Sequence, residues 1–141
     1  MRVTIEDASR TYPDASHFKF GDNEGLCITL LELVRSGTKT ATCTALRDFE
    51  DVSEQMPEVG RRDIALDWDG HPALIIETVH LKICRFDEVD EDFALAEGEN
   101  DDLAGWQRDH QTYFERTGGS SPDMKVVCER FRMIEDFRAG N

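Results

Sequence analysis

Between Asn23 and Arg35, apolar residues recur at helical spacing. Leu26, Leu30, Leu31, Leu33 and Val34 mark one face of a predicted helix. Gly37 predicts its end, because glycine enters the left-handed conformation that closes a helix without a Cβ penalty. The period then changes from helical to twofold. Thr38, Thr40, Thr42 and Thr44 alternate with Lys39, Ala41 and Cys43, which predicts a strand with threonines on one face. The stretch 48–60 is acidic, carries Pro57 and Gly60, and reads as a loop. Asp63 to Trp68 is strand-like, Asp69-Gly70 is a strong hairpin signal, and a return strand runs from about Ala73 to Phe86. That strand is long for a flat one, so a bend is expected in it. In its second half Val79, Leu81 and Ile83 oppose Thr78, His80, Lys82 and Cys84.

The remaining pattern completes the domain. Asp87 to Ala96 reads as a short acidic helix with Val89 and Phe93 on one side. Asp101 and Asp102 cap a longer helix from about Leu103 to Arg116, and the run Gly118 to Pro122 closes it. A last strand alternates Val127, Glu129, Phe131 and Met133 against Val126, Cys128, Arg130 and Arg132. Residues 1–17 are polar and without clear period, and read as a short lead-in to a domain over 18–141. Hairpin-joined strands with helices inserted between them predict an α+β domain around a small β-barrel of about five to six strands.

Composition narrows the function. At 141 residues, 39% apolar and 33% charged, the chain reads as one globular domain rather than a disordered one. No apolar run approaches a membrane span, and the first residues do not open a secretion signal, so a cytoplasmic location is expected. The four cysteines stand singly, which argues against a zinc site or a disulfide framework. No metal-ligand spacing, phosphate-cradling glycine loop or cofactor motif is present. The net charge of −14, from 30 acidic residues against 16 Lys plus Arg, repels a long polyanion. A local basic cleft around Lys39, Arg47, Arg61, Arg62 and Lys82 remains open, but the overall sign favours a small nucleoside-like ligand.

Several residues stand out against their surroundings. Lys39 falls on the small, apolar side of the threonine strand, where an ammonium needs an anionic partner or a place at an edge; an exposed turn is its ordinary alternative. Glu77 interrupts the apolar run from Ala73 to Ile76 and calls for a partner or a cleft. Trp68, beside the hairpin, is placed either to stack on a base or to close one end of the barrel. Trp106, His110, Tyr113 and Phe114 recur at helical spacing, a pattern that more often marks core packing than a stacking platform.

The motifs Phe18-x-Phe20-Gly21-Asp22, Gly37-Thr38-Lys39-Thr40-Ala41-Thr42, Glu58-Val59-Gly60, Gly70-x-Pro72, Ile76-Glu77-Thr78, Phe93-Ala94-x-x-Glu97-Gly98-Glu99 and Trp106-x-x-x-His110 follow one another in the order of a known family. With Tyr113-Phe114, they resemble the ASCH domain family, in its small single-domain bacterial branch, from about Phe18 to Phe131. The resemblance implies a PUA-like barrel with flanking helices and a cleft between barrel and helices. It also implies a nucleoside- or RNA-related ligand. Some members remove an acyl group from modified cytidine, with a proposed catalytic set that falls here on Lys39, Thr42 and Glu97.

Those residue types suit amide hydrolysis in two ways. Thr42 is the nucleophile and Lys39 its base, or Lys39 polarises the carbonyl while Glu97 activates water. Lys39 and Thr42, three apart, converge only if the segment begins as a turn. The wider family has an arginine two residues after the threonine. Here Thr44 stands there and the nearest arginine is Arg47, which leaves the ligand open. Arg47, Glu77, Trp68 and His110 are the candidate ligand-binding residues. The competing expectations are an amidohydrolase of N4-acylated cytidine, a non-catalytic RNA- or nucleotide-binding module, and a ribonuclease.

Overall fold

The computed structural model describes residues 3–50 and 56–138. Its frame is one five-stranded sheet in the order β1-β3-β4-β5-β2, made of β1 (Ser16–Lys19), β2 (Ala41–Ala45), β3 (Arg62–Leu66), β4 (Pro72–Arg85) and β5 (Lys125–Asp136). The sheet curls into a half-barrel, with β1 parallel to β3 and every other pairing antiparallel. Its curl comes from β4, whose 14 residues shift register against β5 between Ile75 and Ile76 and again between Thr78 and His80. The bend expected of this long strand is therefore present. Past it, Val79 and Ile83 face outward at 45% and 53% exposure, while Thr78 and Cys84 are buried.

Helices cover the sheet where its pattern is apolar. Helix α2 (Glu24–Arg35), capped by Asn23, packs Cys27, Leu30, Leu31 and Val34 on Ala65, Leu74, Ile76 and Phe131. It stops as expected: Gly37 takes φ +80°, and the Thr38 and Lys39 amides both donate to the Leu33 carbonyl at 3.0 Å. Helices α4 (Glu91–Ala96) and α5 (Leu103–Thr117), capped by Asp90 and Asp102, place Phe93, Trp106 and Phe114 against Ala45, Cys84, Val126 and Cys128. Val89 and Phe93 are both buried.

Two segments differ from the sequence pattern. The first seventeen residues hold α1 (Ile5–Thr11) and the start of β1; α1 has a reciprocal Thr4–Asp7 cap and seats Ala8 against Ile64, Leu66 and Ile75. A single buried alanine leaves almost no periodic signal, and β1 is short enough to depend on its partner β3. In the stretch read as a loop, Arg47–Glu50 forms a one-turn helix, α3; residues 51–55 lie outside the described residues. Among the described residues no helix is long and apolar enough to cross a membrane.

Candidate functional site

A cleft of about 930 Å³ opens between the sheet and the helices, in the size range of small-molecule sites. Lys39 lies at one end, 2% exposed. It precedes β2 rather than belonging to it, because the chain is still turning out of α2. That turn frees Lys39 from strand alternation. Its ammonium donates to the Ala41 carbonyl at 2.8 Å and lies 3.2 Å from Glu97 Oε1 and 3.6 Å from Glu99 Oε2. Glu97 is the C-cap of α4, also 2% exposed, and is delivered there by the chain reversal at Gly98.

The second Glu97 oxygen is equally occupied. Oε2 accepts the Trp106 indole N–H at 2.6 Å and lies 3.1 Å from His110 Nε2. His110 stacks on Trp106 with ring centroids 4.2 Å apart, and its Nδ1 lies 3.0 Å from the Trp106 carbonyl one turn earlier. The aromatic stripe of α5 is thus core at Trp106 and Phe114 and site at His110. Burial pushes the Glu97 carboxyl upward, but the Lys39 ammonium and then His110 override it and hold the group below its usual range. Burial likewise works against the charged form of His110, and the Glu97 carboxylate reverses this, raising the imidazole above its ordinary value.

Thr42 lines the same cleft, facing Glu129 across the β2–β5 ladder, with no hydrogen bond to Lys39. Lys39 and His110 therefore each contact Glu97, through its two different oxygens, and Thr42 shares only their cavity. The other three candidates stand away from the cleft walls. Ile76 lines the cleft, so its neighbour Glu77 projects from the opposite face, paired with Arg62 at 3.1 Å and Arg132 at 2.9 Å. Arg47 donates to the Phe114 carbonyl at 3.2 Å, below the C-terminal end of α5. Trp68 lies under Lys19, whose ammonium is 4.7 Å from the ring centroid.

Among the cleft residues that sequence did not assign to the site are the carboxylates Glu99, Asp63 and Glu129. Glu129 carried a usable signal, a carboxylate in the otherwise apolar row of Val127, Phe131 and Met133. Of the cations considered from sequence for a local basic cleft, Lys39 and Arg61 line the cavity, and Arg47, Arg62 and Lys82 do not. Arg61 is held by Asp63 at 2.9 Å, Arg62 by Glu77, and Arg47 by α5.

A curled half-barrel with helices over one mouth and a polar cleft beneath them defines a PUA-like domain. The chain belongs to the ASCH domain family, whose profile matches residues 16–135. It is similar to the ASCH domain of Lactobacillus crispatus JV V101, with 34% identity, a TM-score of 0.78, and 93% of this chain and 86% of that one covered. It is also similar to a protein of Enterococcus faecalis V583, with 30% identity, a TM-score of 0.80, and 96% and 88% covered. No protein with a curated description matches the chain.

Proposed function

We propose that the cleft binds a small nucleoside-related ligand and hydrolyses an acyl amide on it, as an amidohydrolase of N4-acylated cytidine. The observation that carries this reading is the buried Lys39–Glu97–His110 cluster on the wall of a ligand-sized cleft. An ion pair with side chains 1% and 3% exposed is poor value for stability alone, since desolvation offsets most of its Coulomb attraction. Such a pair is a reasonable investment where a cation must be aimed.

The role weighed for Glu97 is to activate water. Both its oxygens already accept protein donors and its carboxyl is held below the usual range, so it is a weak base for water. It serves instead as the counter-ion that orients Lys39. Of the ammonium's contacts, Glu99 is the longest and the more exposed, with 29% of its side chain in solvent. A ligand carbonyl oxygen takes that place and is polarised as negative charge develops on it. Thr42 is the hydroxyl of the cleft closest in sequence to Lys39 and is assigned as the nucleophile. Its oxygen bonds to the acyl carbon as the bond to N4 breaks and the hydroxyl proton passes to N4, releasing cytidine; one water then hydrolyses the Thr42 ester to a carboxylate and restores the hydroxyl.

The test is hydrolysis of N4-acetylcytidine by the unaltered protein and by Lys39→Ala, Thr42→Ala and Thr42→Ser. Turnover should vanish in Lys39→Ala and Thr42→Ala and survive in part in Thr42→Ser. Full activity in Thr42→Ala would remove the nucleophile assignment and leave water in that role. No turnover by the unaltered protein would overturn the enzyme reading and leave a binding module.

A further inference from the structure

The wall of the cleft formed by β3 and β5 carries groups that the amide chemistry does not use. Asp63, on β3, is 5% exposed and takes the Arg61 guanidinium entirely on Oδ2, at 2.9 and 3.2 Å. Its other oxygen, Oδ1, is buried with no hydrogen-bond partner. A carboxylate oxygen cut off from both water and donors is costly, and folds rarely leave one so without a use. Asp63 itself lines the cleft, so a hydrogen-bond donor on a bound ligand is the group that would satisfy this oxygen.

Glu129 lines the same wall from β5 and accepts the Thr78 hydroxyl on Oε2 at 2.6 Å. Burial, with the Asp63 charge nearby, pushes its carboxyl above the usual range despite Thr78 and Arg61. Asn100 adds a second buried oxygen without a partner, Oδ1, elsewhere in the lining.

The unmet capacity of these lining side chains is for accepting hydrogen bonds. The cations of the cleft are already held. Lys39 is paired with Glu97, Arg61 with Asp63, and Arg116 with Asp22 at 2.9 Å; Lys19 donates to the Trp68 carbonyl at 3.0 Å. A phosphate would meet only cations that already have partners, while facing further carboxylates. A cationic group is not required either, because Arg61 already neutralises Asp63 and burial pushes the Glu129 carboxyl above its usual range. What fits is a neutral group rich in O–H donors.

We propose that Asp63 and Glu129 form a sugar subsite that accepts hydrogen bonds from the vicinal hydroxyls of an unphosphorylated ribonucleoside. A carboxylate is the group that suits this task, as in dinucleotide sites where an acidic side chain takes the ribose 2′-hydroxyl. The subsite rests on the reading of the cleft as a nucleoside site, yet it is tested by binding rather than by turnover.

Calorimetric titration of the full chain with cytidine, 2′,3′-dideoxycytidine and cytidine 5′-monophosphate is the experiment, repeated on Asp63→Asn and Glu129→Gln. The unaltered protein should bind cytidine about tenfold more tightly than the dideoxy compound, the size of one hydrogen bond to a charged group. That preference should shrink to about threefold or less in each variant, and the monophosphate should bind no more tightly than cytidine. Equal affinity for cytidine and its dideoxy analogue, or no binding of cytidine, overturns the subsite. So does a preference untouched by both substitutions, or tighter binding of the monophosphate. The comparison within the unaltered protein stands even if a variant fails to fold. Lys39-dependent hydrolysis of N4-acetylcytidine without a hydroxyl preference keeps the enzyme and removes the subsite; a hydroxyl preference without hydrolysis does the reverse.

Discussion

Both carboxylate oxygens of Glu97 are occupied by protein donors, so its loss is felt by three side chains at once. Glu97→Gln removes the buried counter-ion of Lys39, and leaving such a charge uncompensated costs about 3–5 kcal/mol. Urea denaturation should show a loss of that order, well beyond what an exposed Glu→Gln change produces. His110 gives the same cluster a pH signature. Its folded value is raised above 6.5, so its contribution to stability is complete below that value and is lost as pH climbs through the raised one. Denaturation midpoints of the unaltered protein should therefore fall relative to His110→Gln as pH rises from 6.5, with little difference between the two slopes if the imidazole is uncharged throughout. The Glu97 carboxyl, held low, works at the opposite end: its contribution is present above 4.5 and disappears on acidification.

At the scale of elements, the join between the end of α4 and the entry to β2 positions the site. The Thr40 amide donates to the Ala96 carbonyl at 2.7 Å, and Gly98, at φ +81°, lies so close that an added Cβ would stand 2.7 Å from the Thr38 carbonyl oxygen. Gly98→Ala meets backbone rather than a movable side chain, and a non-glycine residue there also carries about 1–3 kcal/mol of conformational strain. It should lower the melting temperature and, by displacing Lys39 from Glu97, reduce turnover of N4-acetylcytidine more than Gly37→Ala does, since a Cβ at Gly37 meets nothing within 4 Å. A larger loss in Gly37→Ala would show that left-handed strain, not the close approach, governs this join. What sequence revealed follows the same division. Helix α2, its glycine stop and the β3–β4 hairpin are local patterns and were legible, as were the caps of α5. The Lys39–Glu97 contact joins residues 58 apart, and only the family resemblance put the two side by side. Alternation found β2 to β5 but not the four-residue β1, and it could not say that Lys39 precedes β2, nor that Glu77 faces away from the cleft. Those facts depend on where the strand begins and which face the helices cover.

For the whole molecule, the net charge of −14 bears on the class of ligand proposed for the site. Long nucleic acid binding draws its affinity from freed counterions, which requires unpaired cations arranged along a surface. Two of the cations considered from sequence for such a surface are tied into local pairs, Arg61 with Asp63 and Arg62 with Glu77. Non-specific complexes commonly reach dissociation constants of about 10⁻⁴–10⁻⁶ M, and an acidic surface weakens even that. Fluorescence anisotropy with a labelled single-stranded RNA should therefore show no saturable binding up to about 100 µM protein at low salt, below the usual non-specific range. The same self-repulsion makes a second, opposite demand on stability: added salt screens it and should raise the melting temperature modestly, rather than lower it as for a protein held by surface ion pairs. RNA binding at micromolar concentration with a steep loss on adding salt would contradict the first expectation, because it requires a basic track along the surface.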